Sequence, residues 1–134
     1  MRNFYFAFFT VLFIVVSYQN SIAQQLNPKI QEVYGSMTEQ ILQSNPDRIK
    51  LLNDLLENRI KIIESPAVSE DKYIKLSTVT LLNKYNPSLS RDAVFDTLNF
   101  NPLKYNFNFF SKTASVYRVD NTDFIIVINP QTFK

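Results

Sequence analysis

The 134-residue chain has no cysteine, no histidine and no tryptophan, and its single glycine is Gly35. Without cysteine no disulfide can brace the fold, and no lipid-modified cysteine can tether it. Without histidine the Ser-His-Asp and Cys-His nucleophile systems, imidazole acid–base work and the common zinc sites are excluded. One glycine cannot build a glycine-rich phosphate loop. An excess of one charge is lacking too. The 14 Lys and Arg face 12 Asp and Glu and form no basic cluster, which excludes the footprint of a nucleic-acid partner. Carboxylates, lysines and hydroxyls are what remain for chemistry.

What is present begins with "MRNFYFAFFTVLFIVVSYQNSIAQQ". Arg2 precedes an apolar run from Phe4 to Val16 that only Thr10 interrupts. Ser21-Ile22-Ala23 follows, with small side chains at the two positions a signal peptidase reads. This order describes a secretory signal peptide over residues 1–23, because the apolar run falls well short of the roughly 20 residues a membrane-spanning helix needs. The expected product is a soluble exported chain starting at Gln24, periplasmic or extracellular, with no membrane span after cleavage. Five of the 12 Phe and two of the seven Tyr leave with the leader. Residues 24–134 are long enough to bury a core without disulfides, since a chain of that size hides about two-thirds of its unfolded surface.

The mature chain reads as one α+β domain. Ile30, Val33, Tyr34, Met37, Ile41 and Leu42 recur at helical spacing after the start signal Asn27-Pro28, and Gly35 marks a close approach in the middle of that helix. Asn45-Pro46-Asp47 repeats the signal. Ile49, Leu52, Leu56, Ile60 and Ile63 then predict a second helix that runs to Ser65-Pro66, with Glu57 and Lys61 paired outside. A short connection makes the two helices an antiparallel hairpin. Residues 77–82 fit strand or helix, and a helical turn or two can follow Ser90. "ASVYRV", "DNTD" and "FIIVI" predict a β-hairpin with Asn121 left-handed in the turn, and an apolar last strand that is central or covered on both faces. The expected architecture is thus a helical hairpin followed by a small antiparallel sheet.

Several motifs only resemble catalytic ones. Ser69-Glu70-Asp71-Lys72 matches S-x-x-K, but Lys112-Thr113-Ala114 departs from the companion K-T-G at its third residue, and a helix cap explains Ser69. Asp92 and Asp96 would share a helical face. Asp120 and Asp123 bracket the hairpin turn with too few oxygen ligands around them for calcium. No catalytic residue, metal site or cofactor is expected. An enzyme working with carboxylates alone would need two acids converging in a cleft.

The most unusual stretch is "NFNPLKYNFNFFSK". Read as a strand, it turns Tyr105, Phe107 and Phe109 to one side, and Asn106, Asn108 and Phe110 to the other. Regular alternation of ring and amide describes a half-buried strand rather than a stacking platform, and only Phe110 puts a ring on the polar side.

The "SIAQQ" junction, the Asn/Lys/Ile-rich composition and the "YRVDNTDFIIVI" hairpin before Pro-Gln resemble short exported proteins of Bacteroidota. The resemblance implies a periplasmic or envelope setting, where some such proteins accompany outer-membrane secretion or gliding machinery, and it brings no catalytic residues. The expectation is a non-enzymatic envelope protein that docks onto a protein partner, with Tyr105, Phe110, Tyr117 and Phe133 as candidate contacts wherever they are exposed. The alternative is a small glycan- or ligand-binding module that uses the 100–110 stretch. The oligomeric state stays open.

Overall fold

The computed structural model describes residues 26–66 and 72–131, so the leader, Ser69 and Phe133 lie outside the described residues. Asn27 opens helix α1 (Pro28–Tyr34) by accepting the Lys29 amide, with proline at the first helical position. The helix stops at Gly35 because the backbone there turns to φ +52°, ψ −133°, a region that residues with a Cβ rarely adopt. Close approach is not the reason for this glycine, since a Cβ would meet Asn86 at an ordinary 3.6 Å. A tight turn (Gly35–Met37) leads into α2 (Thr38–Ser44), and Asn45 then caps α3 (Pro46–Asp54) by accepting the Arg48 amide. Two helical arms, one bent at Gly35, therefore meet at Asn45. Among the described residues no helix is long and apolar enough to cross a membrane.

The second arm ends well before the predicted Ser65. A wide π-helical turn (Leu55–Arg59), closed by the Ile60 amide on the Leu55 carbonyl, converts the chain into strand β1 (Ile60–Glu64). Ile60, Ile62 and Ile63 are β-branched and favour extended backbone. They also have a partner that helical spacing could not reveal. Ile60 stands opposite Ile128, Ile62 opposite Ile126 and Glu64 opposite Phe124 in strand β4 (Phe124–Ile128). A helix over this stretch would leave one edge of β4 without hydrogen-bond partners.

The sheet is mixed rather than wholly antiparallel. Its order is β1-β4-β3-β2, where β2 is Ile74–Lys75 and β3 is Ser115–Arg118. β4 pairs antiparallel with both β1 and β3, while β2 lies parallel to β3. Ile62, Ile126, Tyr117 and Ile74 form one row across all four strands. β1 and β2 thus form the two edges of the sheet. The β3–β4 hairpin forms as predicted, with Asn121 left-handed at φ 55° and the Val119 amide on the Phe124 carbonyl. β4 is central, which accounts for its unbroken apolar sequence.

Residues 77–82 form neither a ladder strand nor an α-helix. Leu76–Thr78 make a short turn, and Leu81 forms a single bridge with Tyr105. No helix forms over residues 91–98; instead the Arg91 side chain donates to the carbonyls of Leu76 and Val79. The aromatic stretch alternates in burial but is no ladder strand. The Phe107 amide bonds the Tyr105 carbonyl at 2.8 Å and the Phe109 amide bonds the Phe107 carbonyl at 2.9 Å, so the backbone folds on itself in two successive three-residue turns. Rings from this stretch build the core. Phe100 and Tyr105 lie 5.4 Å apart, Tyr105 and Phe107 5.5 Å, and Phe107 meets Tyr117 of β3 at 4.5 Å.

Three cations are buried in this interior: Lys104, Arg59 and Arg118. Lys104 pairs with Asp92 at 2.6 Å and Glu32 at 3.4 Å, and Glu32 also accepts from buried Asn101. Burial disfavours the Lys104 ammonium, but the hydrogen bond and charge of Asp92, with Glu32, outweigh it and raise its pKa. Arg59, 5% exposed, has only carbonyls: Nε donates to Asn129 at 3.1 Å and Nη2 to Phe109 at 2.5 Å, while Nη1 finds no partner.

Two substitutions test these constraints. Gly35→Ala should destabilise by about 1–3 kcal/mol through backbone strain, read as a lower denaturant midpoint at unchanged slope. Arg59→Met keeps the aliphatic stem but strips donors from two carbonyls, and should cost about 2 kcal/mol in the same measurement.

Candidate functional site

Helix α3 and its cap form one wall of an open cleft of about 640 Å³, with Asn45, Asp47, Arg48, Lys50, Leu51 and Asp54 along it and Phe110 and Gln131 completing the lining. The local sequence explains the first wall. Asn45 spends its side-chain oxygen on the Arg48 amide, and Asp47 sits in the first turn where the helix dipole favours an acid. Arg48 reaches back over the Tyr34 ring at 5.6 Å, which fixes its guanidinium beside α1. Lys50 and Asp47 form an exposed i,i+3 pair at 3.6 Å.

Buried Arg59 positions the other wall from behind. Its carbonyl partners are Phe109, the residue before Phe110, and Asn129, two residues before Gln131. Phe110 leaves the aromatic stretch on the side of Asn106 and Asn108 and is 73% exposed. Burying such a ring is worth roughly 1.5–3 kcal/mol, so its exposure beside a cleft is the strongest sign of an interaction surface here.

The other three sequence candidates fare differently. Tyr105 is 3% exposed, with its ring among Phe100, Phe107 and the Arg91 guanidinium, and burial together with nearby Asp92 raises its phenol pKa. Tyr117 is 6% exposed, and its hydroxyl accepts the Asn108 amide. Neither can meet a partner. Phe133 lies outside the described residues. Sequence reasoning missed Asn45, Arg48 and Gln131 as wall residues. The Asn-Pro-Asp signal marked a helix start, and nothing local indicated that Phe110 would come to face it.

Among the described residues the carboxylates do not assemble into catalytic pairs. Asp92 and Asp96 share no helix: Asp92 serves Lys104, while Asp96 accepts from Asn99 and the Leu98 amide. Those two bonds hold the exposed Asp96 carboxyl below its usual pKa. Glu32 and Asp92 converge, but on the Lys104 ammonium. In the cleft, Asp47 and Asp54 lie on one wall about 10 Å apart along the helix axis, and Asp54 is held by Asn58. Among the described residues no three His, Cys, Asp or Glu side chains are grouped as a metal site would require.

Asp120 has a structural task in place of the calcium reading. One oxygen accepts the Ser77 amide at 2.9 Å and the other the Ser77 hydroxyl at 2.7 Å, tying the hairpin turn to the chain after β2. Asp123 approaches Arg118 at 3.9 Å, and its carbonyl accepts the Ser65 amide.

No protein-family model, curated protein or solved structure matches this chain.

The Asp120 contact predicts a pH dependence. Partial burial pushes its carboxyl up, but the two Ser77 bonds outweigh that and lower its pKa below the ordinary value. A lowered folded pKa contributes stability above the unfolded value of about 3.9, lost as pH falls through the folded value. Asp120→Asn should therefore flatten the acid limb of the stability–pH curve below about pH 4, measured by chemical denaturation from pH 2 to 7.

Proposed function

We propose that this chain is a non-enzymatic exported protein of the cell envelope that docks onto a larger protein partner through the surface around Phe110. The observation that carries the reading is the 73% exposed Phe110 ring at the rim of a wide cleft. A large ring ringed by Arg48, Lys50, Asp47 and Gln131 has the make-up of an interface anchor with a polar rim. The two carboxylates on a single wall support a docking role over hydrolysis, which needs acids on either side of a scissile bond. Export follows from the leader over residues 1–23 with cleavage after Ala23, and an accessory place in secretion or gliding machinery is the setting the sequence resemblance implies.

A glycan-binding role for the same cleft is the second reading. One observation favours it: the ring stands beside amides and carboxylates (Asn45, Gln131, Asp47 and Asp54) that can hydrogen-bond sugar hydroxyls.

Both readings are tested together. Tagged wild-type and Phe110→Ser chains, 24–134, are cross-linked in the native envelope, and cell-wall fragments are titrated into each. Docking predicts a captured protein whose affinity falls at least tenfold, about 1.4 kcal/mol, in the variant. The glycan reading predicts fragment binding with the same loss. Capture at background level, or unaffected by Phe110→Ser, overturns the docking surface.

A further inference from the structure

β1 is an edge of the sheet, and its outer side is unpaired. The Asn129 amide bonds the Arg59 carbonyl and the Ser65 amide bonds the Asp123 carbonyl, so residues 59, 61, 63 and 65 turn their backbone groups to β4. Residues 60, 62 and 64 turn theirs outward. Leu55 accepts the Ile60 amide, which leaves the Ile60 carbonyl and both backbone groups of Ile62 and Glu64 without partners among the described residues. An edge in this condition is a template for another strand.

β1 itself has what that template receives. Laid antiparallel on its own copy about a two-fold axis at Ile62, it makes two bonds between the Ile62 backbones and one from each Glu64 amide to the Ile60 carbonyl across the axis. Every outward group named above is then used except the Glu64 carbonyl. The neighbouring registers do less. An axis at Lys61 sets Ile60 against Ile62 but makes half as many bonds, because the Ile60 amide is already spent, and it puts Lys61 directly against its own copy. An axis at Ile63 leaves the Ile60 carbonyl opposite Pro66, which has no amide.

Charge favours the same arrangement. With the axis at Ile62, each Glu64 lies over Ile60 of the other copy. Ile60 lines a cleft of about 240 Å³ whose one charged lining residue is Lys29. Lys29 gives one ammonium hydrogen to the Phe100 carbonyl and keeps capacity for further acceptors. Glu64 is exposed and takes part in no ion pair among the described residues. The axis stands perpendicular to the sheet, so both copies turn their core faces the same way and the Glu64–Lys29 match occurs twice. Thr97 lines the same cleft, and its loop carries Val94 and Leu98, 79% and 84% exposed, as apolar surface beside this edge.

We infer that a second copy of this chain covers β1, joining two four-stranded sheets into one through a two-fold at Ile62. No residue lines both this cleft and the one at Phe110, so the inference stands whether or not the Phe110 surface docks a partner.

The test is sedimentation equilibrium of isotope-labelled chain 24–134 from micromolar to millimolar, with hydrogen exchange followed over the same range. A dimer is expected, and the Ile62 and Glu64 amides should exchange at least tenfold more slowly in it than in the monomer. Glu64→Pro removes an outward donor from each copy without touching the bonds to β4, and should weaken the dimer at least tenfold, about 1.4 kcal/mol. Glu64→Lys should weaken it as much by facing Lys29 with a like charge, and Lys29→Glu added to it should restore the affinity, whereas Phe110→Ser should leave it unchanged. Exchange in the unsubstituted chain keeps the test open should a variant fail to fold. A chain monomeric at millimolar concentration overturns the inference, as does a dimer whose Ile62 and Glu64 amides exchange as in the monomer. A dimer weakened by Phe110→Ser and not by Glu64→Pro assigns self-association to the other cleft and overturns it too.

Discussion

Arg59 brings a permanent charge into the interior with only backbone carbonyls to receive it, and three segments are joined at those bonds. Its own backbone belongs to the wide turn that ends α3, its Nη2 holds the last buried residue of the aromatic stretch, and its Nε holds the exit of β4. The reciprocal bond from the Asn129 amide makes this the first rung of the β1–β4 ladder. A charge in such a place needs its hydrogen bonds more than a neutral group would, because the low local dielectric magnifies both gain and penalty. The wide turn, the onset of β1 and the outward placement of Phe110 all follow from satisfying it, and the orphaned Nη1 shows that satisfaction is incomplete.

Lys104 does the complementary work on the helical side, with carboxylates in place of carbonyls. Glu32 from α1, Asp92 from the long loop and Asn101 converge around it, and Lys29 adds a bond to the Phe100 carbonyl. These polar links fix α1 to the segment that supplies the core rings. A chain without disulfides and with a single glycine is thus braced in part by the buried Arg59 and Lys104, each binding distant parts of the sequence to one aromatic core.

The legible parts of this fold were those decided locally. Asn-Pro start signals placed both helical arms, and turn chemistry put Asn121 in the left-handed region. Unbroken apolarity made β4 central, and alternation of ring and amide told Phe110 from Phe109. Where two local readings fitted, tertiary pairing decided. Ile60 and Ile63 satisfy helical spacing as well as a strand, and only the need of β4 for a second neighbour selects the strand. The two-residue β2, the parallel pairing and the burial of Arg59 and Lys104 depend on residues far along the chain, so no window of sequence contains them. The candidate cleft was legible by half. Phe110 stood out, but the helix wall facing it did not.

The central position of β4 bears on the order of assembly. β1 and β3 both take their main ladder from Phe124–Ile128, the last strand described. A chain emerging from its amino end can form α1 to α3 early, because those contacts are local. It has no sheet until the far end has arrived, and the β1–β4 pairing closes a long loop. Until then the isoleucines of β1 have no ladder, so the helical arms cannot lock onto a core. Under the export proposed above, that delay would be an advantage: the architecture itself would keep the chain from closing into a folded body before passage is complete.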